Sequence, residues 1–261
     1  MVRGLYTAWS GMRNEQKRLD VISNNIANAS TTGYKTEGAT SQSFDDMLGI
    51  KVKDKSEQQA LGNRIIGRES LGVKIGETYT DYSQGSLRQT GNTYDLALDG
   101  DGFFQVRVVD TAGESHIRYT RAGNFTITSE GYVTDADGNH LQGEDGDLQV
   151  PTDAAEITID QSGAVYADGE LVAQLNIVDF ENYNYLKKYA DTFYEPVDGA
   201  TEKEATALVR QGYLEQSNVQ VVNEMVNLIA ITRAYEANQK VIQTMDSSLE
   251  QAVNNVGRVS G

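Results

Sequence analysis

Residues 217–256, SNVQVVNEMVNLIAITRAYEANQKVIQTMDSSLEQAVNNV, carry an apolar residue at every seventh position along most of their length. The positions that form this stripe are Val221, Leu228, Tyr235, Ile242, Leu249 and Val256. Because seven residues make nearly two turns of an α-helix, a seven-residue step keeps one helix face toward a partner, as in coiled coils. The stretch therefore predicts one long helix of about 60 Å that packs against other helices.

A second set of positions lies four residues beyond this stripe. It is apolar at its ends and polar at its centre, and it consists of Met225, Thr232, Gln239, Asp246 and Val253. Polar side chains at such positions weaken an isolated two-stranded coil. The pattern therefore favours packing among several helices over a simple dimer.

The beginning of the chain has the same seven-residue step, at Leu5, Met12, Leu19 and Ile26. This pattern predicts a helix over about residues 5–29. A glycine at position 11 costs such a helix about 1 kcal/mol relative to alanine, so it is either a tolerated defect or a point where another helix approaches closely. Beyond the helix, Gly33 is expected to take the left-handed conformation that follows many helix ends.

The middle of the chain changes to short alternating segments that are separated by Gly and Asp. The segments predicted to be strands are 103–109, 117–120, 124–128, 131–133, 157–159 and 171–178. Asp-Gly pairs at 137–138, 145–146 and 168–169 predict tight turns between them. These features are typical of a compact antiparallel β-domain.

The predicted fold class is α+β, with N- and C-terminal α-helices packed as a coiled-coil-like pair, a central antiparallel β-domain and extended connecting segments. The helical core is expected to take its N-terminal helix from residues 1–33 and its C-terminal helix from residues 211–261. Between them, the predicted parts are an extended connecting segment at 34–92, the β-rich domain at 93–185 and a returning connector at 186–210.

The net charge of −16 over 261 residues is unevenly distributed. Counting Lys and Arg against Asp and Glu gives +2 for residues 1–44, −17 for 45–209 and −1 for 210–261. Near-neutral ends can pack against copies of themselves without strong repulsion, whereas the acidic middle favours contact with water. Nucleic acid is a poor partner for this surface, because the only short basic run, Lys51 to Lys55, is interrupted by Asp54.

Targeting and membrane signals are absent from the sequence. It contains no continuous apolar stretch near the roughly 18 residues of a membrane-spanning helix, and the start lacks the apolar core and cleavage site of a secretory signal. Cysteine is also absent, so neither disulfides nor thiolate zinc sites are expected.

Motifs for catalysis or cofactor binding are not found either. His116 and His140 lack the HExxH spacing, and neither GxSxG nor GxxxxGK[ST] occurs. The Gly100-Asp101-Gly102 run precedes a predicted strand where a dinucleotide site needs a helix. The run 135–139 has its glycine at the fourth position, whereas an EF-hand needs it at the sixth, so a hairpin turn is expected there. The sequence predicts no enzyme activity, no cofactor and no metal site.

Several runs resemble the family of bacterial flagellar rod and hook proteins. Residues 23–35, SNNIANASTTGYK, are similar to the family's Asn-Asn-(Leu or Ile)-Ala-Asn run followed by Thr-x-Gly-(Phe or Tyr). The motif positions are Asn24, Asn25, Ala27, Asn28, Gly33 and Tyr34. Further similar blocks are 84–92, 95–104, 119–125, 211–219, 224–226 and 233–238, so the resemblance covers nearly the whole chain.

The resemblance implies a structural axial subunit of the flagellar basal body, most like the distal-rod type in length and in its single modest β-domain. Such a subunit is exported unfolded through the flagellar export apparatus, without a cleaved signal. It polymerises through its terminal helices into a tube that transmits torque and encloses the export channel. Its implied partners are copies of itself and other axial proteins of the rod and hook, with neither nucleic acid nor membrane insertion.

The residues predicted to form the assembly interface are those of the two stripes and one residue beside them: Leu5, Met12, Leu19, Ile26, Val221, Met225, Leu228, Tyr235, Ile242, Leu249 and Val256. The chain departs from the family pattern at Trp9, Thr93 and Thr232, where a small residue, proline and glutamine are common. Residues 45–72 do not clearly reproduce the long insertion of distal-rod proteins.

Two alternatives remain open from the sequence. The chain could be another member of the same axial family, either a proximal rod or a hook subunit. It could instead be a surface-exposed binding module, in which helices hold a β-domain with a concave aromatic cluster. Tyr132, Tyr166 and Phe180 are the aromatic residues available for such a cluster.

Overall fold

A computed structural model describes residues 2–44, 47–51, 64–70, 72–110 and 113–256. These residues contain two long α-helices, α1 (Val2–Ala27) and α2 (Val221–Val256), with β-strands between them. The predicted helices at both ends and the α+β class are therefore confirmed. Within the described part of the chain, neither helix is long and apolar enough to cross a membrane.

The chain divides into two compact units. The helical unit comprises Met1–Asn24, Glu37–Tyr79 and Val221–Gly261, whereas the β unit comprises Asn25–Thr36 and Thr80–Gln220. Each unit is thus assembled from segments that are distant in sequence. The predicted boundaries at residues 33, 92, 185 and 210 remain predictions.

The two helices approach each other closely inside the helical unit. A methyl group at Gly4 would lie 2.4 Å from Met245 Cε, and one at Gly11 would lie 3.0 Å from Asn238 Nδ2. Because the later residue of α1 faces the earlier residue of α2, the helices run antiparallel. Gly11 is therefore a point of close approach and not merely a tolerated defect.

The face that α2 turns inward is defined by two sets of positions. The stripe residues Val221, Leu228, Tyr235, Ile242 and Leu249 are half-buried. The second set lies three residues beyond them and consists of Glu224, Ile231, Asn238, Met245 and Ala252, among which Ile231 is only 3% exposed.

The set four residues beyond the stripe, which the sequence predicts to pack among several helices, is largely exposed in the single chain, and its packing in an assembly remains a prediction. Gln239 and Asp246 are exposed, and Met225 and Val253 are 51% and 69% exposed. Steps of three and four residues alternate in any seven-residue repeat, so a stripe can be widened on either side. The position of the partner helix decides which side is buried.

The connecting segment folds back along α1 through short strands. These are β1 (Glu37–Ser43), β2 (Met47–Lys51), β3 (Arg64–Glu69) and β4 (Val73–Thr80), with β1 paired to β4 and β2 to β3. Two buried polar residues of α1 form hydrogen bonds with the paired strands β1 and β4. Asn14 Nδ2 donates to Ser41 Oγ at 3.0 Å, and the Val73 N–H donates to Ser10 Oγ at 3.4 Å. Residues 45, 46, 52–63 and 71 lie outside the described part, so the prediction for segment 45–72 is not addressed.

The β unit contains the remaining strands. They are β5 (Leu87–Gln89), β6 (Leu96–Asp99), β7 (Phe103–Val109), β8 (Ser115–Thr120), β9 (Thr126–Ile127), β10 (Val133–Thr134), β11 (His140–Gly143), β12 (Gly146–Asp147), β13 (Ile157–Ile159), β14 (Ala164–Ala167), β15 (Glu170–Gln174), β16 (Ile177–Phe180), β17 (Leu186–Lys188), β18 (Phe193–Pro196), β19 (Glu202–Glu204), β20 (Leu208–Gln211) and β21 (Tyr213–Glu215). The largest sheet has the order β17-β18-β8-β7-β11-β10-β9, with β16 also on β7. A short 3₁₀ turn, Tyr183–Tyr185, precedes β17.

Alternation along β7 divides the core of the β unit into two clusters. Phe104 and Val106 join a cluster that also contains Phe125, Leu141, Val165 and Val209. Phe103 points the other way, into a cluster that also contains Tyr119, Phe180 and Tyr194. Successive side chains of a strand face opposite sides of a sheet, so the run Phe103-Phe104-Gln105-Val106 serves both clusters.

The predicted antiparallel β-domain is confirmed, with two refinements. The predicted strand 171–178 is interrupted between β15 and β16, and strands continue past residue 185 because β18 pairs with β8 and β20 pairs with β6. The turn at Asp168-Gly169 joins β14 to β15 with φ of 50° and 86°, the positive values that a two-residue type I′ hairpin needs.

Candidate assembly surfaces and a buried polar anchor

The predicted family motif ends α1 and enters the β unit. Gly33 has φ of 69°, and a methyl group there would lie 2.3 Å from the Ala122 nitrogen, so both its conformation and its surroundings require glycine. The Gly33 N–H donates to the Glu215 carbonyl oxygen at 2.9 Å. The left-handed conformation expected at this position is confirmed.

A buried ionic group lies directly beyond Gly33. Lys35 Nζ donates to Glu215 Oε1 at 2.6 Å and to the Ser83 carbonyl at 2.8 Å, while Arg121 Nη1 lies 3.4 Å from Glu215 Oε2. The residue exposures are 1% for Lys35, 3% for Arg121 and 0% for Glu215. The Gly85 N–H also donates to Glu215 Oε1, at 2.9 Å. The buried Glu215 carboxylate therefore pairs with two cations and accepts a hydrogen bond from a backbone amide.

Two neutral contacts extend this group. Asn218 Oδ1 accepts hydrogen bonds from the Thr36 N–H at 2.8 Å and from Thr36 Oγ1 at 2.7 Å, and Asn218 Nδ2 donates to the Asp81 carbonyl at 2.8 Å. The Tyr34 hydroxyl donates to Asn25 Oδ1 at 3.1 Å. We call Lys35, Arg121, Glu215 and Asn218 the polar anchor.

The electrostatics of the polar anchor follow from its burial. Burial lowers the pKa of Lys35 from its ordinary value of 10.5, and attraction to the Glu215 carboxylate offsets part of this shift. A buried cation is costly without a counter-ion, so the carboxylate makes burial of Lys35 and Arg121 possible. The polar anchor thereby ties the residues that follow α1 to those that precede α2.

The predicted motif residues have different environments. Asn25, Gly33 and Tyr34 are buried, whereas Asn24 and Ala27 are exposed. Asn28 is half-buried, and its Oδ1 accepts a hydrogen bond from Thr31 Oγ1 at 3.0 Å.

The predicted interface residues also differ in how far they are exposed in the single chain. In α1, Leu5, Met12, Leu19 and Ile26 are half-buried, like the described stripe residues of α2. Met225 is exposed, and the side chain of Val256 lies outside the described part. Whether these residues contact other subunits remains a prediction.

The sequence-based predictions missed the role of Lys35, Arg121, Glu215 and Asn218. All four lie inside the blocks that resemble the family, so the blocks located them without indicating what they do. Lys35 and Glu215 are separated by 180 residues, and no local pattern indicates that two such charges are buried together.

A second buried carboxylate stabilises the β unit. Asp179, which is 1% exposed, accepts hydrogen bonds from Lys203 Nζ at 2.8 Å and from the Tyr183 hydroxyl at 2.7 Å. Burial raises the pKa of Asp179, but these bonds and that from the Phe180 N–H outweigh burial and hold the pKa below 3.8. Since the folded pKa lies below the unfolded one, the stabilisation is present above the unfolded value and lost as the pH falls through the folded value.

Replacing Asp179 with asparagine is expected to lower the free energy of unfolding by about 1–3 kcal/mol near neutral pH. The difference from wild type should shrink as the pH falls below about 3.9, because the carboxylate of the unfolded chain then binds a proton while the native carboxylate, with its lower pKa, stays charged. Urea unfolding at several pH values measures it, with the exposed Asp153→Asn as the control. A difference that stayed constant down to about pH 2 would contradict this role of the carboxylate.

The residues that the sequence analysis considered for metal binding or catalysis make contacts within turns and between strands of the fold. Asp135 Oδ1 accepts from the Asp137 and Asn139 N–H groups at 2.9 Å, so the predicted hairpin turn is confirmed. His140 Nδ1 lies 3.3 Å from Asp147 Oδ2, which also pairs with Arg107. No cluster of three potential metal ligands occurs among the residues described.

Comparison with known proteins gives matches over most of the chain. A family model described as "Flagella basal body rod protein" matches residues 5–35, "Flagellar hook protein FlgE/F/G D1 domain" matches 97–167, and "Flagellar basal body rod FlgEFG protein C-terminal" matches 210–255. The flagellar basal-body rod protein FlgG of Bacillus subtilis (strain 168) is 36% identical, over 97% of this chain and 99% of its own. FlgG of Agrobacterium fabrum is 35% identical, over 94% and 96%. The rod protein FlgF of Caulobacter vibrioides is 30% identical over 100% of both chains.

The fold and these matches define the class as a structural subunit of the bacterial flagellar axis, located in the basal body. More particularly, the chain belongs to the flagellar basal-body rod protein family, and its FlgG relatives confirm the predicted similarity to the distal-rod type.

Proposed function

We propose that the chain polymerises through α1 and α2 into a tube that transmits torque and encloses the export channel. In this tube the two helices form a coiled-coil-like pair, and neighbouring pairs pack side by side. The partners are copies of the chain and other axial proteins, which reach the growing tip through the export apparatus. The chain serves as a structural element without catalytic activity.

The main support is the arrangement of apolar residues in the helical unit. Gly4 and Gly11 face Met245 and Asn238, which places one face of each helix against the other. Large apolar side chains nevertheless remain exposed on both helices: Tyr6, Trp9, Val222, Met225, Val226, Ile229, Val241 and Val253. Exposed apolar patches of this kind mark surfaces that bind other proteins.

The polar anchor supports the transmission of torque. A rod under torque needs subunits that do not deform. Inside the β unit, the segment 33–36 donates hydrogen bonds to Glu215 and to Asn218. In this proposal, the polar anchor stiffens the β unit where the chain enters and leaves it.

The proposal predicts that the terminal helices fold fully only on assembly. Helices acquire most of their stability from packing, and α1 and α2 leave the apolar side chains named above exposed in the described part of the single chain. Hydrogen exchange of the free monomer should show fast exchange in most of α1 and α2 and slow exchange in the β unit. Circular dichroism should show helix content rising in purified rods. Full protection of both helices in the free monomer would contradict assembly-coupled folding.

A further inference from the structure

An open apolar groove lies along α1 on the side where β4 packs. Its apolar lining comprises Trp9 and Val21 of α1, Phe44, and Val73 and Ile75 of β4, and its volume is about 510 Å³. Trp9 is 46% exposed and Phe44 40% exposed in the single chain. We call it the α1–β4 groove.

The groove has a basic rim. Arg13, Lys17 and Lys74 line it together with one carboxylate, Asp20. The Arg13 guanidinium carbon lies 5.6 Å from the centre of the Trp9 ring, which holds a cation beside the apolar floor. An occupant that suits this groove therefore presents apolar side chains with acidic ones next to them.

The acidic residues of the chain are concentrated in one continuous part of the β unit. Residues 122–186 contain 13 aspartates and glutamates and neither lysine nor arginine. Basic side chains on neighbouring strands are paired with carboxylates: Lys203 Nζ lies 2.8 Å from Asp179, and Arg210 Nη2 lies 2.8 Å from Asp99. This part of the β unit is therefore negatively charged throughout.

Within this acidic part, the hairpin of β14 and β15 carries exposed apolar side chains. Leu171 is 59% exposed and Val172 is 37% exposed. Among the described side chains outside the helices, they are the only two large apolar residues that are both exposed and consecutive. We call Leu171 and Val172 the hairpin patch.

A β-bulge explains why both side chains of the hairpin patch are exposed. The pair Val165–Ala173 is followed directly by the pair Tyr166–Leu171, so Val172 is the extra residue of a bulge. In a regular strand, consecutive side chains face opposite sides, and one of these sides is the core that contains Val165. The bulge interrupts this alternation, and neither Leu171 nor Val172 is buried.

Acidic side chains flank the hairpin patch. Glu170 precedes it and Asp168 lies in the turn, and both are exposed. Asp168 Oδ1 accepts a hydrogen bond from the Glu156 N–H at 2.9 Å, which brings the exposed Glu156 beside the turn. An apolar patch with three carboxylates next to it is complementary to an apolar floor with three cations on its rim.

We propose that the α1–β4 groove of one copy receives the hairpin patch of a second copy. This inference rests on the proposed function and specifies one contact between neighbouring subunits. In this contact, Leu171 and Val172 lie on the apolar floor and Glu170 lies at the basic rim. Because the two surfaces differ, the contact is heterologous, and such contacts repeat into rings or helical filaments.

Cysteine cross-linking tests the contact directly, because the natural chain contains no cysteine. The double variant Thr78→Cys/Val172→Cys places one thiol in the groove lining and one in the hairpin patch, both at exposed positions and without a change of charged residues. Basal bodies are purified from cells that carry this variant as their only copy, oxidised, and separated on a non-reducing gel. A ladder of dimers, trimers and larger multiples is expected.

Three controls accompany the double variant. Thr78→Cys alone and Val172→Cys alone should give no ladder, since neither position meets itself in a heterologous contact. Thr78→Cys/Ser129→Cys should give none either. Ser129 is exposed beside Glu130 in the turn between β9 and β10, so it has acidic surroundings without the hairpin patch.

Removal of one apolar side chain tests the contact without thiols. Leu171→Ser is expected to lower the amount of the chain in purified rods about tenfold, because the apolar floor of the groove then loses its main cover. Val197→Ser removes an apolar side chain that is 47% exposed elsewhere in the β unit, and it should leave the amount unchanged. Both positions are exposed, so circular dichroism of the free chain should match that of the wild type.

The outcomes for the inference and for the proposed function differ. Rods that contain Thr78→Cys/Val172→Cys but give no ladder, or an equal ladder with Ser129→Cys, would overturn the inference and leave the proposed function standing. Equal amounts of Leu171→Ser and Val197→Ser in rods would also overturn it, and this comparison decides alone if the double variant does not enter rods. Absence of the wild-type chain from purified rods would contradict the proposed function itself.

Discussion

Replacement of Glu215 by alanine is expected to lower the free energy of unfolding of the β unit by about 3–5 kcal/mol. The physical reason is that the carboxylate is the shared partner of Lys35 and Arg121, which are 1% and 3% exposed. Its removal leaves two cations buried and the Gly85 N–H without its acceptor. Urea denaturation of the full chain, followed by the fluorescence of its tyrosines, measures the loss.

Two further variants isolate the cause. Lys35→Met, which leaves Glu215 paired with Arg121, should cost less than Glu215→Ala. Glu204→Ala removes the same side chain from an exposed position of β19 and should change stability by less than about 0.5 kcal/mol. Equal free energies of unfolding for Glu215→Ala and Glu204→Ala would show that the buried ion pair does not stabilise the β unit.

The second large effect is expected for Ile231→Asp, which should abolish incorporation of the chain into rods. Ile231 is the buried residue of the seam that α2 turns inward, at 3% exposure. An aspartate there would carry its charge into an apolar contact, which costs several kcal/mol without a partner. Quantification of the chain in purified basal bodies, with circular dichroism of the β unit as a check on folding, measures the effect.

The matched variant Gln239→Asp decides between the two possible seams. Gln239 belongs to the set four residues beyond the stripe and is exposed, whereas Ile231 belongs to the set three residues beyond it. We expect rods with Gln239→Asp to contain near-normal amounts of the chain. Equal loss with both variants would place the four-residue seam inside the assembled rod. Leu228→Asp, on the half-buried stripe, should also block incorporation and leave the β unit intact.

These expectations assign different tasks to the two units. The β unit has a complete apolar core, with Phe104, Leu141 and Val106 at 0% exposure. Among the described side chains of the helical unit, few large apolar ones are buried and several are exposed. In the proposed function, a chain built this way folds its β unit first and completes its helices against neighbouring copies.

Part of this organisation could be predicted because it is local. The seven-residue steps predicted the two helices. The alternation of apolar and polar residues predicted strands, and the Asp-Gly pairs predicted hairpin turns. Gly33 was predicted to take the left-handed conformation beyond α1. The blocks similar to the rod family also contained the residues of the polar anchor. Each of these signals lies within a continuous stretch of sequence and depends on the order of residue types there, not on which distant segments meet.

The rest was decided by tertiary structure. A seven-residue repeat fits a second seam on either side, so only the position of α1 selects Ile231 and Asn238 over Thr232 and Gln239. Lys and Glu are residue types that usually lie on the solvated surface. Lys35 and Glu215 become a buried pair only because the fold brings together positions 180 residues apart. Sequence alone determined the elements and the family, because periodicity and motifs are local. The fold determined the seam and the polar anchor, because each depends on which distant segments meet.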